Sequence, residues 1–309
     1  MRPQTAACIG TGLIGRSWAL VLARCHERVW LFDANDDAAT AAQEYVQNTL
    51  TQSVHAGLLR YPQQLADRIR IASSLQEAVS SARYVQESVS ENLSVKRTVF
   101  ADIYALAPSD AILASSTSEY RPSDIWADVA GRARCLVAHP LNPPHLIPAV
   151  EVCPGTFTAP DVVAQTLTLL SEAGQRPYLV RREIRGFVMN RLQIAVLREA
   201  LNLVQDGVCS VADVDVAMKF GLARRWAAMG PFEANYLATE KGYENFLAVY
   251  GETLKSIADD LTPTWNFRPS IGRDVDAQLA ETLRNEPRTN TEARRDRNLA
   301  RIANCDLEL

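Results

Sequence analysis

The 309-residue sequence contains few cysteines, few lysines and no long apolar run. Its six cysteines show neither C-x-x-C nor any other paired spacing, which argues against a disulfide framework or a zinc site and favours reduced thiols. No segment approaches the roughly 18 consecutive apolar residues of a membrane-spanning helix. The N-terminal segment carries glycines and an arginine where an export signal would be uniformly apolar, so a cytoplasmic location is expected.

The sequence also lacks an excess of basic residues over acidic ones. Lysine and arginine together number 32 against 36 acidic residues, and the isoelectric point is about 5.7. This balance excludes the basic field that nucleic acids and anionic membranes require. The hydrophobic share of 47% and the charged share of 22% are those of an ordinary globular protein with room for about two domains. We therefore expect a small-molecule partner and no nucleic acid or membrane.

A glycine-rich motif, G-x-G-x-x-G, lies between a predicted strand at 6–9 and a predicted helix that includes 18–23. The first glycine permits a tight turn, the second lets a pyrophosphate approach the backbone, and the third lets helix and strand pack closely. The helix N-terminus adds amide donors for the phosphates. The residues of this turn that we expect at a dinucleotide cofactor are Gly10, Gly12, Leu13, Ile14 and Gly15.

A second predicted strand, 28–33, ends in the carboxylate of Asp33, 18 residues after Gly15. An acid about 20 residues beyond the glycine motif binds the ribose hydroxyls of the dinucleotide. Residues 35–37 then add negative charge, and no arginine follows at once to hold a 2′-phosphate. The pattern therefore favours NAD over NADP.

Strand and helix patterns alternate through the first 185 residues, and the strands after the first two are predicted at 70–72, 84–89, 111–114, 135–138, 149–152 and 178–180. This alternation predicts a Rossmann-type, doubly wound α/β domain with a largely parallel sheet over residues 1–185. Residues 186–309 carry only helical patterns and are expected to form an all-α domain. Within it, 187–206 is apolar nearly all the way round, which predicts a buried central helix, and 221–231 is predicted to be a loop.

His139 closes the apolar run 135–138 and is followed by a proline-rich loop, as expected for a buried strand that ends at a rigid turn. Ligands in α/β sheets bind beyond the carboxyl ends of strands, where a histidine can act as a general base. Glu151 lies in a second apolar run, and a carboxylate buried there needs a partner. A hairpin-like return brings it to His139. The pattern also leaves open that His139 is simply a satisfied histidine of the core.

Four motifs occur in order along the chain: the glycine turn, Ser-Ser-Thr-Ser at 115–118, His-Pro-Leu-Asn-Pro at 139–143 and Gly-Phe-Val-Met-Asn-Arg-Leu at 186–192. With these motifs the chain resembles the 3-hydroxyacyl-CoA dehydrogenase family over nearly its whole length. Within that family it looks most similar to the lambda-crystallin branch of L-gulonate 3-dehydrogenases, with L-carnitine dehydrogenases as near relatives. The runs 15–18 and 142–144 and the arginine-rich C-terminal end support that branch.

The resemblance implies a role for several residues. It makes His139 the catalytic base and Glu151 its carboxylate partner, while Ser118 and Asn190 hold the reacting oxygen. It gives Asn142 a part in shaping the substrate pocket. In addition to the glycine turn and Asp33, the resemblance places Glu91, Lys96 and Ser116 at the NAD cofactor.

Each of these residues also has an ordinary structural interpretation. Ser118 suits a turn hydroxyl, Asn190 suits a polar group in a first helical turn, and Glu91 and Lys96 suit exposed charges. No metal is predicted, because prolines separate His139 from the next histidine and no third ligand joins them.

The substrate stays open between free hydroxy acids and CoA thioesters. Residues 40–70, where the family's CoA contacts fall, contain no lysine and only Arg60, Arg68 and Arg70, which weakens the case for CoA. The resemblance favours NAD-dependent oxidation of the 3-hydroxyl of a small, L-gulonate-like hydroxy acid to the 3-keto acid. Arg225 then holds the substrate carboxylate bidentately, or else is a surface residue of its loop.

Glu119 departs from the family, whose near members carry a small or apolar residue just after the serine. If it faces the pocket it favours a cationic substrate such as L-carnitine, and if it faces solvent it has no such effect. Two further functions stay open: an L-3-hydroxyacyl-CoA dehydrogenase, and a crystallin-like structural protein that binds NAD without turnover. The family also implies a homodimer, which the apolar helical half favours.

Overall fold

The computed structural model describes residues 5–58, 62–261, 269–283 and 286–304, and Arg60 lies outside them. The described part divides into two compact units. The first contains residues up to 191 together with 295–304, and the second contains most of the residues from 192 to 294.

Eight strands of the described residues form one sheet in the order β3-β2-β1-β4-β5-β6-β7-β8. Neighbouring strands are parallel except β6 and β7, which are antiparallel. The predicted doubly wound, largely parallel sheet is thus confirmed. Its strands are β1 Thr5–Ile9, β2 Arg28–Phe32, β3 Ile69–Ile71, β4 Ala82–Glu87, β5 Ile112–Ser115, β6 Cys135–Pro140, β7 Ala149–Pro154 and β8 Arg176–Leu179.

Helices cover both faces of this sheet. One face packs against α1 Leu13–Leu22, α2 Asp36–His55, α3 Pro62–Arg68 and α7 Pro160–Glu172, in a core that includes Trp18 and Leu170. The other face packs against α4 Leu75–Val79, α5 Leu93–Leu106 and α6 Pro122–Trp126, in a core that includes Phe100 and Ile103. The central strands β1, β5 and β6 are buried almost throughout, and their apolar runs without alternation made them recognisable in the sequence.

The second unit is helical over its described residues. α8 spans Met189–Gln205, and most of it lies in this unit. The helices wholly within the unit are α9 Val211–Val216, α10 Ala223–Ala228, α11 Pro231–Tyr236, α12 Gly242–Asp260 and α13 Pro269–Thr282. α14, Arg288–Ala303, begins in this unit and ends in the first. The predicted loop at 221–231 is wrong, because a π-helical turn at 217–222 continues directly into α10. Alanine and arginine are strong helix formers, and all residues of α10 except Trp226 are of these two types.

The prediction that 187–206 forms a buried helix is also wrong for the single chain. None of the residues of α8 is buried. Leu192, Ile194 and Leu197 are 61%, 46% and 40% exposed, respectively. An apolar composition favours burial of a helix, but burial also requires another segment or chain that packs against it.

Among the described residues, no helix has both the length and the apolar character needed to cross a membrane. The five cysteines of this part of the chain are all free. The cytoplasmic location stays a prediction.

Candidate active site

The three glycines after β1 each meet a different constraint. Gly10 has φ +89°, and a Cβ on it would lie 2.7 Å from the Ser88 backbone. A Cβ on Gly15 would overlap the carbonyl oxygen of Gly10, so the close contact of α1 with the strand requires glycine there. A Cβ on Gly12 would meet nothing within 4 Å, so the space beside it is open for a ligand.

The N-terminus of α1 is free to bind an anion. Gly12 is its N-cap residue and supplies no side-chain hydrogen bond, and the first turn contains no acidic residue. The first amides of the helix therefore keep their hydrogen-bonding capacity and the positive end of the helix dipole. The turn fits the pyrophosphate of a dinucleotide.

Asp33 follows β2 and is tied to the glycine turn. Its Oδ2 accepts hydrogen bonds from the amide and the hydroxyl of Thr11, at 2.7 and 3.1 Å. Its Oδ1 accepts a hydrogen bond from the Asn35 amide at 3.0 Å. These bonds orient the carboxylate that is expected to bind the ribose. Asp33 was predicted from the sequence, but Thr11 was not, because it lies at an unspecified position of the glycine motif.

The structure brings His139 and Glu151 together, as the expected hairpin-like return requires. They are directly paired residues of the antiparallel strands β6 and β7, and Nδ1 of His139 donates to Oε2 of Glu151 at 2.6 Å. Both side chains are buried. The ring of Phe187 lies 5.7 Å from the imidazole, centroid to centroid.

Glu151 is satisfied by three further donors. Its Oε1 accepts hydrogen bonds from the Tyr178 hydroxyl at 2.8 Å and from the amides of Val188 and Met189 at 2.7 and 2.9 Å. Burial by itself raises the pKa of Glu151, but these bonds and the one from His139 outweigh burial, so its pKa lies below the ordinary value. The buried carboxylate is therefore ionised, and it fixes the imidazole with Nε2 as the free nitrogen.

The two amides reach Glu151 through a turn with left-handed backbone. Gly186 has φ +73° and Phe187 has φ +46°, which is rare for an aromatic residue. The turn leads directly into α8, so Glu151 also lies at the positive end of that helix. Tyr178 and this turn were not predicted from the sequence, although the Gly-Phe pair at the centre of the turn belongs to the motif at 186–192.

Ser118 and Asn190 also come together. The Asn190 side-chain amide donates to the carbonyl oxygen of Ser118 at 3.0 Å, which leaves one N–H of that amide for another acceptor. The amide of Ser118 donates to Oε1 of Glu91 at 3.0 Å. Both side chains are partly accessible.

The two expected cofactor residues Glu91 and Lys96 are paired with each other, with Nζ 3.1 Å from Oε2. Burial raises the pKa of Glu91, but hydrogen bonds from the Thr117 hydroxyl and Lys96 bring it below the ordinary value. Lys96 is only 1% exposed, so the interpretation as an exposed charge is wrong for this residue. Its second carboxylate partner is Glu87, at 2.9 Å, which sequence analysis missed.

Three further residues were predicted at the cofactor or the substrate: Ser116, Asn142 and Arg225. The Ser116 hydroxyl lies within a network of protein groups, 3.1 Å from Trp18 Nε1, 2.7 Å from Gln86 Nε2 and 2.8 Å from Ser88 Oγ. Asn142 is exposed on the loop after β6. Arg225 is exposed on α10 of the second unit.

Metal-binding side chains do not cluster in the described part of the chain, where no group of three histidine, cysteine or acidic residues has the required spacing.

Two sequence profiles of one family match the chain. The profile of 3-hydroxyacyl-CoA dehydrogenase, NAD binding domain, matches residues 5–184, and that of the C-terminal domain matches residues 186–265. The NAD profile agrees with the open glycine turn and with Asp33, so the predicted cofactor, NAD, is confirmed.

Individual relatives match over most of their length. A lambda-crystallin homolog of Bos taurus is 39% identical over 276 residues, which cover 88% of this chain and 86% of the relative. An L-carnitine dehydrogenase of Streptomyces griseus is 40% identical over 255 residues, which cover 82% of this chain and 75% of the relative.

The fold is shared with solved dehydrogenases. The structure of 5-formyl-3-hydroxy-2-methylpyridine 4-carboxylic acid 5-dehydrogenase, an NAD⁺-dependent dismutase, superimposes with a TM-score of 0.81 at 28% identity and covers 99% of both chains. A 3-hydroxybutyryl-CoA dehydrogenase of Escherichia coli has a TM-score of 0.66 at 27% identity, over 81% of this chain and 53% of its own.

Gly12 and Gly15 meet different constraints, so the same substitution should have different effects at the two positions. Gly12→Ala should change the unfolding free energy by less than about 1 kcal/mol, since its Cβ enters open space, but should weaken NADH binding because the methyl group obstructs the pyrophosphate. Gly15→Ala should destabilise the protein by about 3 kcal/mol, because its Cβ overlaps a carbonyl oxygen. Urea unfolding without cofactor and NADH fluorescence titration measure the two effects. Undiminished NADH affinity in Gly12→Ala would contradict the assignment of the turn.

Proposed function

Because the chain belongs to the 3-hydroxyacyl-CoA dehydrogenase family, we propose that it uses NAD to oxidise the 3-hydroxyl of a small, L-gulonate-like hydroxy acid to the 3-keto acid. The observation that carries the proposal is the buried, directly bonded pair of His139 and Glu151 at the end of a strand of the NAD-binding unit. The helical residues from 186 onward contribute to substrate binding and to dimerisation.

When bound, NAD supplies the hydride acceptor for this oxidation. His139 acts as the general base, and its free Nε2 takes the proton of the substrate hydroxyl. Nδ1 stays bonded to Glu151, whose ionised carboxylate stabilises the imidazolium that forms. In the reverse direction the Ser118 hydroxyl and the second N–H of Asn190 donate to the carbonyl oxygen as negative charge develops.

The composition of residues 40–70 favours a free acid over a CoA thioester. Nη1 of Arg68 donates to the Ala23 carbonyl at 2.8 Å, and Nη1 of Arg70 donates to the carbonyls of Ala66 and Ile69. These bonds use only Nη1 of each guanidinium, so the case against a CoA thioester rests chiefly on the absence of lysine from residues 40–70.

L-carnitine is the second candidate substrate. Glu119 carries this candidate through its place in the sequence, because it directly follows Ser118 and a carboxylate that faces the pocket suits a cationic group. The 40% identity to an L-carnitine dehydrogenase agrees with this second candidate.

The first test is a substrate panel in an NADH absorbance assay, with L-gulonate, L-carnitine, other free 3-hydroxy acids and acetoacetyl-CoA. We expect the largest kcat/KM for a free acid. Arg225→Met should raise the KM for that acid about tenfold or more, because a bidentate ion pair to the carboxylate is lost, and Arg224→Met is the neighbouring control. A higher kcat/KM for the thioester would overturn the substrate assignment, and no turnover of any compound would favour a structural NAD-binding protein.

The second test addresses the base. His139→Gln should lower kcat by about 10²-fold or more because general-base catalysis is lost, while NADH binding is retained. His145→Gln is the matched control, since burial lowers the pKa of His145 to about 4 and keeps it neutral. Equal kcat values for His139→Gln and the unaltered enzyme would exclude the proposed mechanism.

We also propose that the protein is a homodimer. The exposed apolar side chains of α8 support it, because packing against a second copy would remove their apolar surface from water. Light scattering at micromolar concentration should give twice the 34.1 kDa chain mass. A monomer mass would refute the dimer, and Leu192→Glu should shift the protein towards monomer, because it buries a charge in the interface.

A further inference from the structure

Three directly paired residues of neighbouring strands form a row across the sheet at the proposed base. His139 on β6 pairs with Glu151 on β7, and Glu151 pairs with Tyr178 on β8. Directly paired residues of neighbouring strands point to the same face of a sheet and lie within contact distance. The register of the three strands therefore brings these side chains together.

Glu151 receives its hydrogen bonds unevenly. Oε2 accepts one, from Nδ1 of His139 at 2.6 Å. Oε1 accepts three, from the Tyr178 hydroxyl at 2.8 Å and from the amides of Val188 and Met189 at 2.7 and 2.9 Å. Each donor stabilises negative charge on the oxygen that accepts it, so the charge of Glu151 is drawn towards Oε1 and away from the imidazole.

The Tyr178 hydroxyl is the donor of this set that a side chain supplies. Burial and the neighbouring Glu151 raise the pKa of Tyr178, so the hydroxyl keeps its proton and donates it to the carboxylate. The ring is half-buried and packs against the core on its side of the sheet. A phenylalanine here would keep the packing of the ring and lose only the hydrogen bond.

The groups around Glu151 add little further charge. Among the described residues, the titratable side chains bonded to it are His139 and Tyr178. Cys153 lies two residues along β7, and burial raises its pKa to about 12, so its thiol is neutral. On the loop after β8, Glu183 accepts a backbone amide of α6 at 3.1 Å. The proton affinity of the imidazole therefore depends chiefly on how the Glu151 charge is distributed.

We infer that Tyr178 is a positioning residue of the proposed reaction, which draws the Glu151 charge away from His139 and so keeps Nε2 available as the base near neutral pH. This inference rests on the proposed function. Without the hydroxyl, more negative charge stays at Oε2 beside Nδ1 and stabilises the imidazolium. The protonated ring, which cannot accept the substrate proton, then persists to higher pH.

The experiment compares Tyr178→Phe with Tyr104→Phe. Tyr104 is the matched control, because its ring is also half-buried against the same core and its hydroxyl belongs to α5, away from the three-strand row. The first readout needs neither substrate nor cofactor: NMR follows the histidine ring signals from about pH 5 to about pH 10, and His139→Gln identifies the signal of His139 among the four histidines. The second readout is the pH profile of kcat/KM for oxidation of the best compound of the panel.

Tyr178→Phe should move the midpoint of the His139 signal, and the acid limb of the kcat/KM profile, upward by about half a pH unit or more, since the carboxylate loses one donor. On the acid side kcat/KM should fall about threefold or more, and on the alkaline side it should approach that of the unaltered enzyme. The NADH dissociation constant should change less than about threefold. Tyr104→Phe should behave as the unaltered enzyme.

Three results would disprove the inference. The first is an unmoved or lowered midpoint of the His139 signal in Tyr178→Phe. The second is an equal loss of kcat/KM at every pH, which would indicate a merely structural role, and the third is the same upward shift in Tyr104→Phe. Failure of the proposed function looks different, because the midpoint then still moves while the unaltered protein turns over no compound of the panel.

Discussion

The site depends on one buried carboxylate. Glu151 is fully enclosed and would be strongly destabilising as an isolated charge, yet it receives four hydrogen bonds from four separate groups. They come from β6, from β8 and from the turn that leads into α8, so these elements must dock together for the charge to be tolerated. The hydrogen bond from Nδ1 to Glu151 also orients the imidazole of His139 and leaves Nε2 free to accept a proton.

The antiparallel pairing of β6 and β7 makes this arrangement possible. In a parallel sheet the next strand returns only after a crossover of a dozen or more residues. Here the chain turns back within residues 141–148, so Glu151 pairs directly with His139. The one departure from the parallel pattern among the described strands is therefore located at the site.

A second charge group, in which Glu87 and Lys96 are buried, bonds to the turn at 115–119. Two carboxylates share the ammonium of Lys96, and their remaining lone pairs accept backbone amides and hydroxyls. Both charge groups follow the same rule, because each buried charge has hydrogen-bond partners from neighbouring elements.

The sequence by itself determined the fold class, the NAD-binding turn with Asp33, and the pairing of His139 with Glu151. The glycine spacing, the apolar runs of the buried strands and the residues at the strand ends are local patterns that can be identified without knowing distant contacts. Only the tertiary structure decided that Lys96 is buried between Glu87 and Glu91, that Tyr178 and two amides reach Glu151, and that α8 is uncovered in the single chain. These depend on which distant segments come into contact, and residue type alone does not specify the partner of a charge or the cover of an apolar face.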